Sequence, residues 1–142
     1  MQTRGQLYLQ GQWQQQPDSV NKQLISYTLY NFKFSCDSFY VVMKSFTKVN
    51  NGPDNCMSSG RYTEYAKGKY EQHQDTVVMK GFFCNADYSL KDVGGCFRSG
   101  VYEDYFKTKV QSDSVIKMTS TSSILPLNLH LVKRLNCVPK PL

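Results

Sequence analysis

The chain has 142 residues, a length that fits one domain able to bury about 68–70% of its unfolded surface. Hydrophobic residues make up 40% and aromatic residues 13%, with ten tyrosines and eight phenylalanines, a composition that favours strands over helices. The net charge of +6 comes from lysines scattered among predicted strands, without a nucleic-acid-binding signature, and no apolar run approaches the ~20 residues of a membrane-spanning helix. Nucleic acid and a transmembrane helix are therefore excluded at this level.

Leu7, Leu9, Gly11 and Trp13 alternate with Tyr8, Gln10, Gln12 and Gln14, which predicts a first strand over residues 6–16 with one apolar face. Pro17-Asp18-Ser19 ends it, and the connection over 18–26 allows a short helical turn around Val20 to Ile25. The second strand, Tyr27–Ser35, turns Tyr30, Phe32 and Phe34 to one side. Cys36-Asp37-Ser38 leads into a third, Phe39–Val49, where Phe39, Val41 and Met43 oppose Tyr40, Val42 and Lys44. A polar loop with the turn signal Gly52-Pro53-Asp54 follows. The fourth strand, Arg61–Gln72, groups Tyr62, Glu64, Ala66, Gly68 and Tyr70 on one face. A fifth covers Thr76–Cys84. The sixth, Val101–Gln111, groups Tyr102, Asp104, Phe106, Thr108 and Val110. The seventh is Val115–Thr121, and the eighth, Ile124–Arg134, sets Leu125, Leu127, Leu129 and Leu131 against Pro126, Asn128, His130 and Val132. Residues 1–136 then form one domain and 137–142 a tail.

One stretch of this series is written twice. Cys56-Met57-Ser58-Ser59-Gly60-Arg61-Tyr62-Thr63-Glu64-Tyr65 is answered by Cys96-Phe97-Arg98-Ser99-Gly100-Val101-Tyr102-Glu103-Asp104-Tyr105. The period of about 40 residues suits a helical repeat, a propeller blade or a pair of hairpins. Asp-Ser/Thr pairs between runs of Tyr, Phe, Val and Ile select hairpins, because Asp and Ser side chains favour tight turns. Gly60 and Gly100 stand where the chain enters the next strand and positive φ is useful. Eight sequential antiparallel strands close into an up-and-down barrel, which removes exposed edges; a two-sheet β-sandwich is the alternative.

Five cysteines without a C-x-x-C pair suit an oxidising compartment, with one or two disulfides and an unpaired thiol. Strand parity puts Cys56, Cys84 and Cys96 at one end of a meander and Cys36 and Cys137 at the other. Cys56–Cys96 or Cys84–Cys96 is the first expectation and Cys36–Cys137 the next. Residues 1–6 lack the apolar core of a secretory signal.

Glu64 and Asp104 hold equivalent repeat positions, and parity sends both to the otherwise apolar face. Such a pair can hold a cation, anchor a ligand or do acid–base work, or sit solvated near a barrel mouth among tyrosines. His73 and His130 are the only histidines and have no neighbouring ligand in the sequence, so no metal and no cofactor is expected. No phosphate loop or G-x-S-x-G elbow is present. The inward aromatics are read either as core filling or as walls of a partly open lumen. Its lining would be Tyr30, Phe32, Phe39, Val41, Tyr62, Glu64, Tyr70, Tyr102, Asp104, Leu127 and Leu129.

Gly11-x-Trp13 resembles the lipocalin G-x-W motif, and Arg134 is placed like the arginine that packs across the Trp in that superfamily. Gly11, Trp13 and Arg134 would then be structural; the T-D-Y block of lipocalins is not evident. From Gly11 to Lys133, the meander with Asp-Ser/Thr turns and C-x-x-S-G-x-Y looks like the small lipocalin-like envelope lipoproteins of Bacteroidota. Some of those carry a fumarate hydratase label. The fumarase motifs are absent here, and 142 residues leave no room for the large helical core of that family. The resemblance implies a secreted, periplasmic or outer-membrane-anchored protein, with a signal peptide and lipid-bearing cysteine upstream of residue 1. The expected function is non-catalytic binding of a small apolar or amphipathic molecule in the lumen. A filled barrel acting as a structural or interaction module of the envelope is the alternative, and an enzyme using Glu64 and Asp104 ranks last.

Overall fold

The computed structural model describes residues 3–15, 24, 26–48, 60–92, 96–121 and 126–138. Its strands are β1 Gly11–Gln15, β2 Ser26–Ser35, β3 Ser38–Thr47, β4 Arg61–His73, β5 Thr76–Cys84, β6 Val101–Ser112, β7 Val115–Ser120 and β8 Leu127–Arg134. Each pairs antiparallel with the next, and β8 returns to β1, pairing Leu131 with Trp13. That last pairing makes an eight-stranded up-and-down barrel and excludes the sandwich. Cross-strand partners lead from Gly11 through Phe34, Phe39, Gly68 and Gly81 to Tyr102. A line begun at one end of the barrel thus reaches the other by β6, the stagger that tilts strands in a closed ring.

Alternation along the strands sets the core. Trp13, Phe32, Phe34, Phe39, Val41, Met43, Val77, Met79, Phe106, Ile116, Met118 and Leu129 are buried, all on the inward side. Glycine decides how closely the walls approach. Gly68 and Gly81 face each other across β4 and β5, and a Cβ on either would meet backbone, 2.1 Å from the Lys80 carbonyl oxygen in the first case. With no side chains there, Phe39 and Tyr102 from the flanking strands bring their rings to 5.7 Å. The two rings cover the glycine pair from inside.

The two ends are built differently. At one, two-residue turns at 36–37, 74–75 and 113–114 join β2 to β3, β4 to β5 and β6 to β7. The φ of +55° at Cys36 and +58° at Gln74 puts the positive angle at the first turn residue, the sign pattern of a II′ turn. Each turn is stapled to the next strand pair: the Asp37 carbonyl accepts from Tyr70 N–H, Asp75 from Thr108 and Ser114 from Leu131. At the other end lie the four long connections. There the repeated Gly60 and Gly100, with φ of +76° and +87°, use their carbonyls to accept from Thr47 and Phe83 N–H.

The first strand departs from expectation. Residues Leu7–Leu9 form a 3-10 turn, so strand parity fails before Gly11: Leu7 is 84% exposed and Gln10, expected on the polar face, is 1% exposed. β8 begins at Leu127 and β3 stops at Thr47. The helical turn around Val20 to Ile25 and the Gly52-Pro53-Asp54 turn fall outside the described residues.

Cys36 and Cys137 are bridged with Cα atoms 4.9 Å apart, so residue 137, taken from the sequence as the start of a tail, is tied to the barrel. Cys84 is free and buried, which rules out Cys84–Cys96. Cys96 is disulfide-bonded, and the expectation of Cys56–Cys96 involves a residue outside the described ones. The Cys36–Cys137 bond indicates a compartment outside the cytoplasm. Among the described residues no helix is long and apolar enough to cross a membrane.

Candidate functional site

The tight-turn end is plugged. Gln10 reaches in from the segment before β1, its amide Nε2 donating to Cys36 O at 2.8 Å and Tyr70 Oη at 3.0 Å, while its Oε1 accepts from Cys36 N at 2.6 Å. Tyr70 Oη donates to Cys36 O and accepts from Gln6 N, and burial pushes its pKa up. Every polar side-chain atom of Gln10 and Tyr70 is used, which lets them be buried at little cost, whereas Oδ1 of the neighbouring Asp37 is buried without a hydrogen bond. Tyr70, expected among the lumen walls, belongs here instead.

Trp13 stands above the plug, its indole N–H donating to Leu9 O at 2.8 Å. The Arg134 guanidinium lies 5.7 Å from the Trp13 ring centroid and donates to the carbonyls of Tyr8, Gln10 and Asp113. Gly11 pairs with Arg134 itself. A surface cleft of about 580 Å³ runs beside this group, between Leu7, Tyr8, Val110 and Arg134. Its lining also includes the inward-facing Trp13 and Ile116, and the guanidinium at its edge already spends its donors on carbonyls.

The long-loop end is different. Phe32, Phe39, Val41, Tyr102, Leu127 and Leu129 are buried, but the inward-facing Tyr30, Tyr62, Asp104 and Ser120 stay partly exposed. Tyr30 stacks on Phe32 and sets its edge against Phe106, 6.3 Å away. Burial raises its pKa, helped by the negative charge of Asp104. Tyr102 is likewise held as a neutral phenol, chiefly by burial.

The two repeat-equivalent carboxylates both face inward, but with opposite environments. Glu64 is 4% exposed and gripped by Arg98 from the loop before β6. Arg98 Nη2 donates to Oε1 at 2.9 Å, Nε to both oxygens at 3.2 Å, and the backbone N–H to Oε2 at 3.1 Å. The hydrogen bonds to Glu64 raise the guanidinium pKa, and the group also lies 4.7 Å from the Phe83 ring centroid. Next to it Phe97 stacks on Tyr62 with centroids 4.0 Å apart. Among the described residues Asp104 has no ion-pair partner. It accepts from Tyr105 N at 2.9 Å, Ser120 Oγ at 3.2 Å and Tyr102 Oη at 3.4 Å, and burial raises its pKa.

Sequence reading placed Tyr30, Tyr62, Glu64, Tyr102 and Asp104 on the inward face, without assigning them to an end of the barrel, and missed Arg98, Ser120 and Gln10. One signal for Arg98 existed: in the doubled motif it stands where the first copy has Ser58, the place where a repeat has been specialised. His73 pairs with Glu71 on the outer face and His130 is exposed, and no group of three metal-ligating residues forms among the described residues. Comparison with known proteins found no match to this chain among family models, curated proteins or solved structures.

Proposed function

We propose that the barrel binds a small apolar or amphipathic molecule without transforming it, taken in through the long-loop end. The observation that carries this reading is the gradient along the lumen. Its lower levels are sealed by rings and by the Gln10 plug, whereas inward-facing Tyr30, Tyr62, Asp104 and Ser120 remain reachable from solvent. Apolar walls with a few convergent polar groups are the usual make-up of a small-molecule site. The 3-10 turn, Trp13 and Arg134 at the closed end support a kinship with lipocalin-like envelope lipoproteins, and the disulfide suits their location.

A second reading, an interaction module with a filled barrel, draws on the outer surface. Phe82 and Val101 are cross-strand partners there, 51% and 66% exposed, with Leu90 nearby in sequence at 67%. Catalysis by Glu64 and Asp104 has less support, since Arg98 occupies both oxygens of Glu64. The deciding experiment is native mass spectrometry of protein purified gently from its own host, with organic extraction of what it carries. A stoichiometric adduct that passes into the organic phase is expected. A clean apo mass, with no uptake from a lipid mixture, would move the function to the outer surface.

A further inference from the structure

We infer that the molecule held at the long-loop end carries a protonated amine, and that Asp104 is its anchor. This rests on the lumen-binding reading and names the ligand's chemistry.

Charge pairing at the mouth is lopsided. The ion pairs among the described residues join Lys69 to Asp37, His73 to Glu71, Lys80 to Glu103, Arg98 to Glu64 and Lys107 to Asp75. Asp104 is in none of them, and of the described carboxylates left over (Asp87, Asp92, Asp104 and Asp113) it is the one that is not exposed. Glu64 and Arg98 pair with each other, which leaves Asp104 as an inward-facing carboxylate without an ion pair among the described residues. A carboxylate in that position favours a cation and selects against anionic ligands.

The groups around Asp104 suit a cation. Its three donors are a backbone amide, a serine hydroxyl and a long contact from a phenol, all neutral, which leaves carboxylate lone pairs for an ammonium. Tyr30 and Tyr102 present aromatic rings on the same inward side, and both are held as phenols, so neither brings a competing anion. An ammonium seated there gains a charge-assisted hydrogen bond and the face of a ring. The Tyr30 hydroxyl makes no hydrogen bond to a described residue and is free to accept from the same ammonium. The ligand's apolar part would lie against the partly exposed Tyr30 ring and the Tyr62–Phe97 stack.

The test compares three molecules with one chain and three heads: octylamine, octanol and octanoate, each titrated calorimetrically into the oxidised full chain and its Asp104→Asn variant at neutral pH. Octylamine is expected to bind about tenfold or more tighter than octanol, the size of one charge-assisted contact in a partly desolvated site, and octanoate weakest. Asp104→Asn should erase the preference for the amine while leaving octanol binding unchanged. If octanol and octylamine bind alike, or the preference survives in Asp104→Asn, the amine assignment is wrong and the lumen reading stands. If none of the three binds, both are wrong. If octanoate binds tightest, Arg98 and not Asp104 governs the mouth.

Discussion

The barrel has one end that is finished and one that is not. At the tight-turn end every buried polar group of Gln10, Tyr70 and Cys36 has a partner, the Arg134 guanidinium is spent on three carbonyls, and a disulfide closes the corner. At the long-loop end a carboxylate sits on the inward side without a cation, two phenols stay neutral under burial, and the inward face is reachable from solvent. Both ends have the same strands and the same alternation. What differs is charge and access rather than hydrogen bonding: among the described residues the buried side-chain atom without a hydrogen bond is Asp37 Oδ1, at the tight-turn end, whereas Asp104 at the long-loop end is bonded only to neutral donors and is partly exposed, so a cationic second molecule has something to offer there.

The contrast can be broken most strongly from the closed side. Trp13→Ala removes a fully buried ring together with its hydrogen bond to Leu9 and the support beneath Arg134, and should cost about 3–5 kcal/mol in urea unfolding. A loss under about 1 kcal/mol would mean that Trp13 does not organise this end. Opening the Cys36–Cys137 bond, by Cys137→Ala or by mild reductant, should cost about 2–4 kcal/mol because the bond closes a long loop of the unfolded chain. Equal melting temperatures for the two forms would argue against the pinned corner.

At the other end the effects are smaller, and one changes sign. Arg98→Ala leaves Glu64 buried without its partner and should cost about 1–3 kcal/mol, limited because the arginine side chain is 61% exposed. The same variant should make residues 85–92 more sensitive to limited proteolysis, as the loop loses its tether. Asp104→Asn should stabilise the protein slightly at neutral pH. Burial raises the Asp104 pKa above its unfolded value, so the folded chain holds that proton more tightly. The contribution of Asp104 to wild-type stability is then fully present below about pH 3.9 and is lost as pH rises through the folded-state value. The groups that set this value are Tyr102 and the Tyr105 amide on β6, Ser120 on β7 and, at longer range, Arg98. The gain in melting temperature of Asp104→Asn should therefore open on raising the pH from acid; a gain that stayed constant with pH would show that the charge is not its cause. A residue whose removal stabilises the fold is one kept for another reason.

How much of this was legible in the sequence follows from the range of the interactions. Period-2 alternation placed Tyr62, Glu64, Ala66 and Tyr70 on one face, and did the same for Tyr102, Asp104 and Phe106, because facing depends only on near neighbours along a strand. The Asp-Ser/Thr pairs marked the tight turns for the same reason. Gln10 misled, because a 3-10 turn at Leu7–Leu9 resets the parity, and its partners at Cys36 and Tyr70 are distant in sequence. Arg98 was invisible as a partner of Glu64, 34 positions away across a loop. Loop-to-strand ion pairs leave no periodic trace. The alternation that put Tyr70 with the lumen walls gave its side correctly and could not say at which height along a tilted strand it would sit.

The disulfide has a topological consequence. Cys36 follows β2 and Cys137 lies beyond β8, so in the oxidised chain β3 to β8 form a covalent loop, and β1 and β2 are a tail leaving it. β1, with five residues, is the shortest strand of the barrel and is held by β2 on one side and β8 on the other. Should it detach, the two bared edges would remain tied to each other at the corner where Cys36 meets Cys137, and the gap would keep the width of one strand. The molecule is in this sense a lasso: the two strands that flank β1 are joined covalently at one corner independently of the hydrogen bonds that β1 makes with each of them.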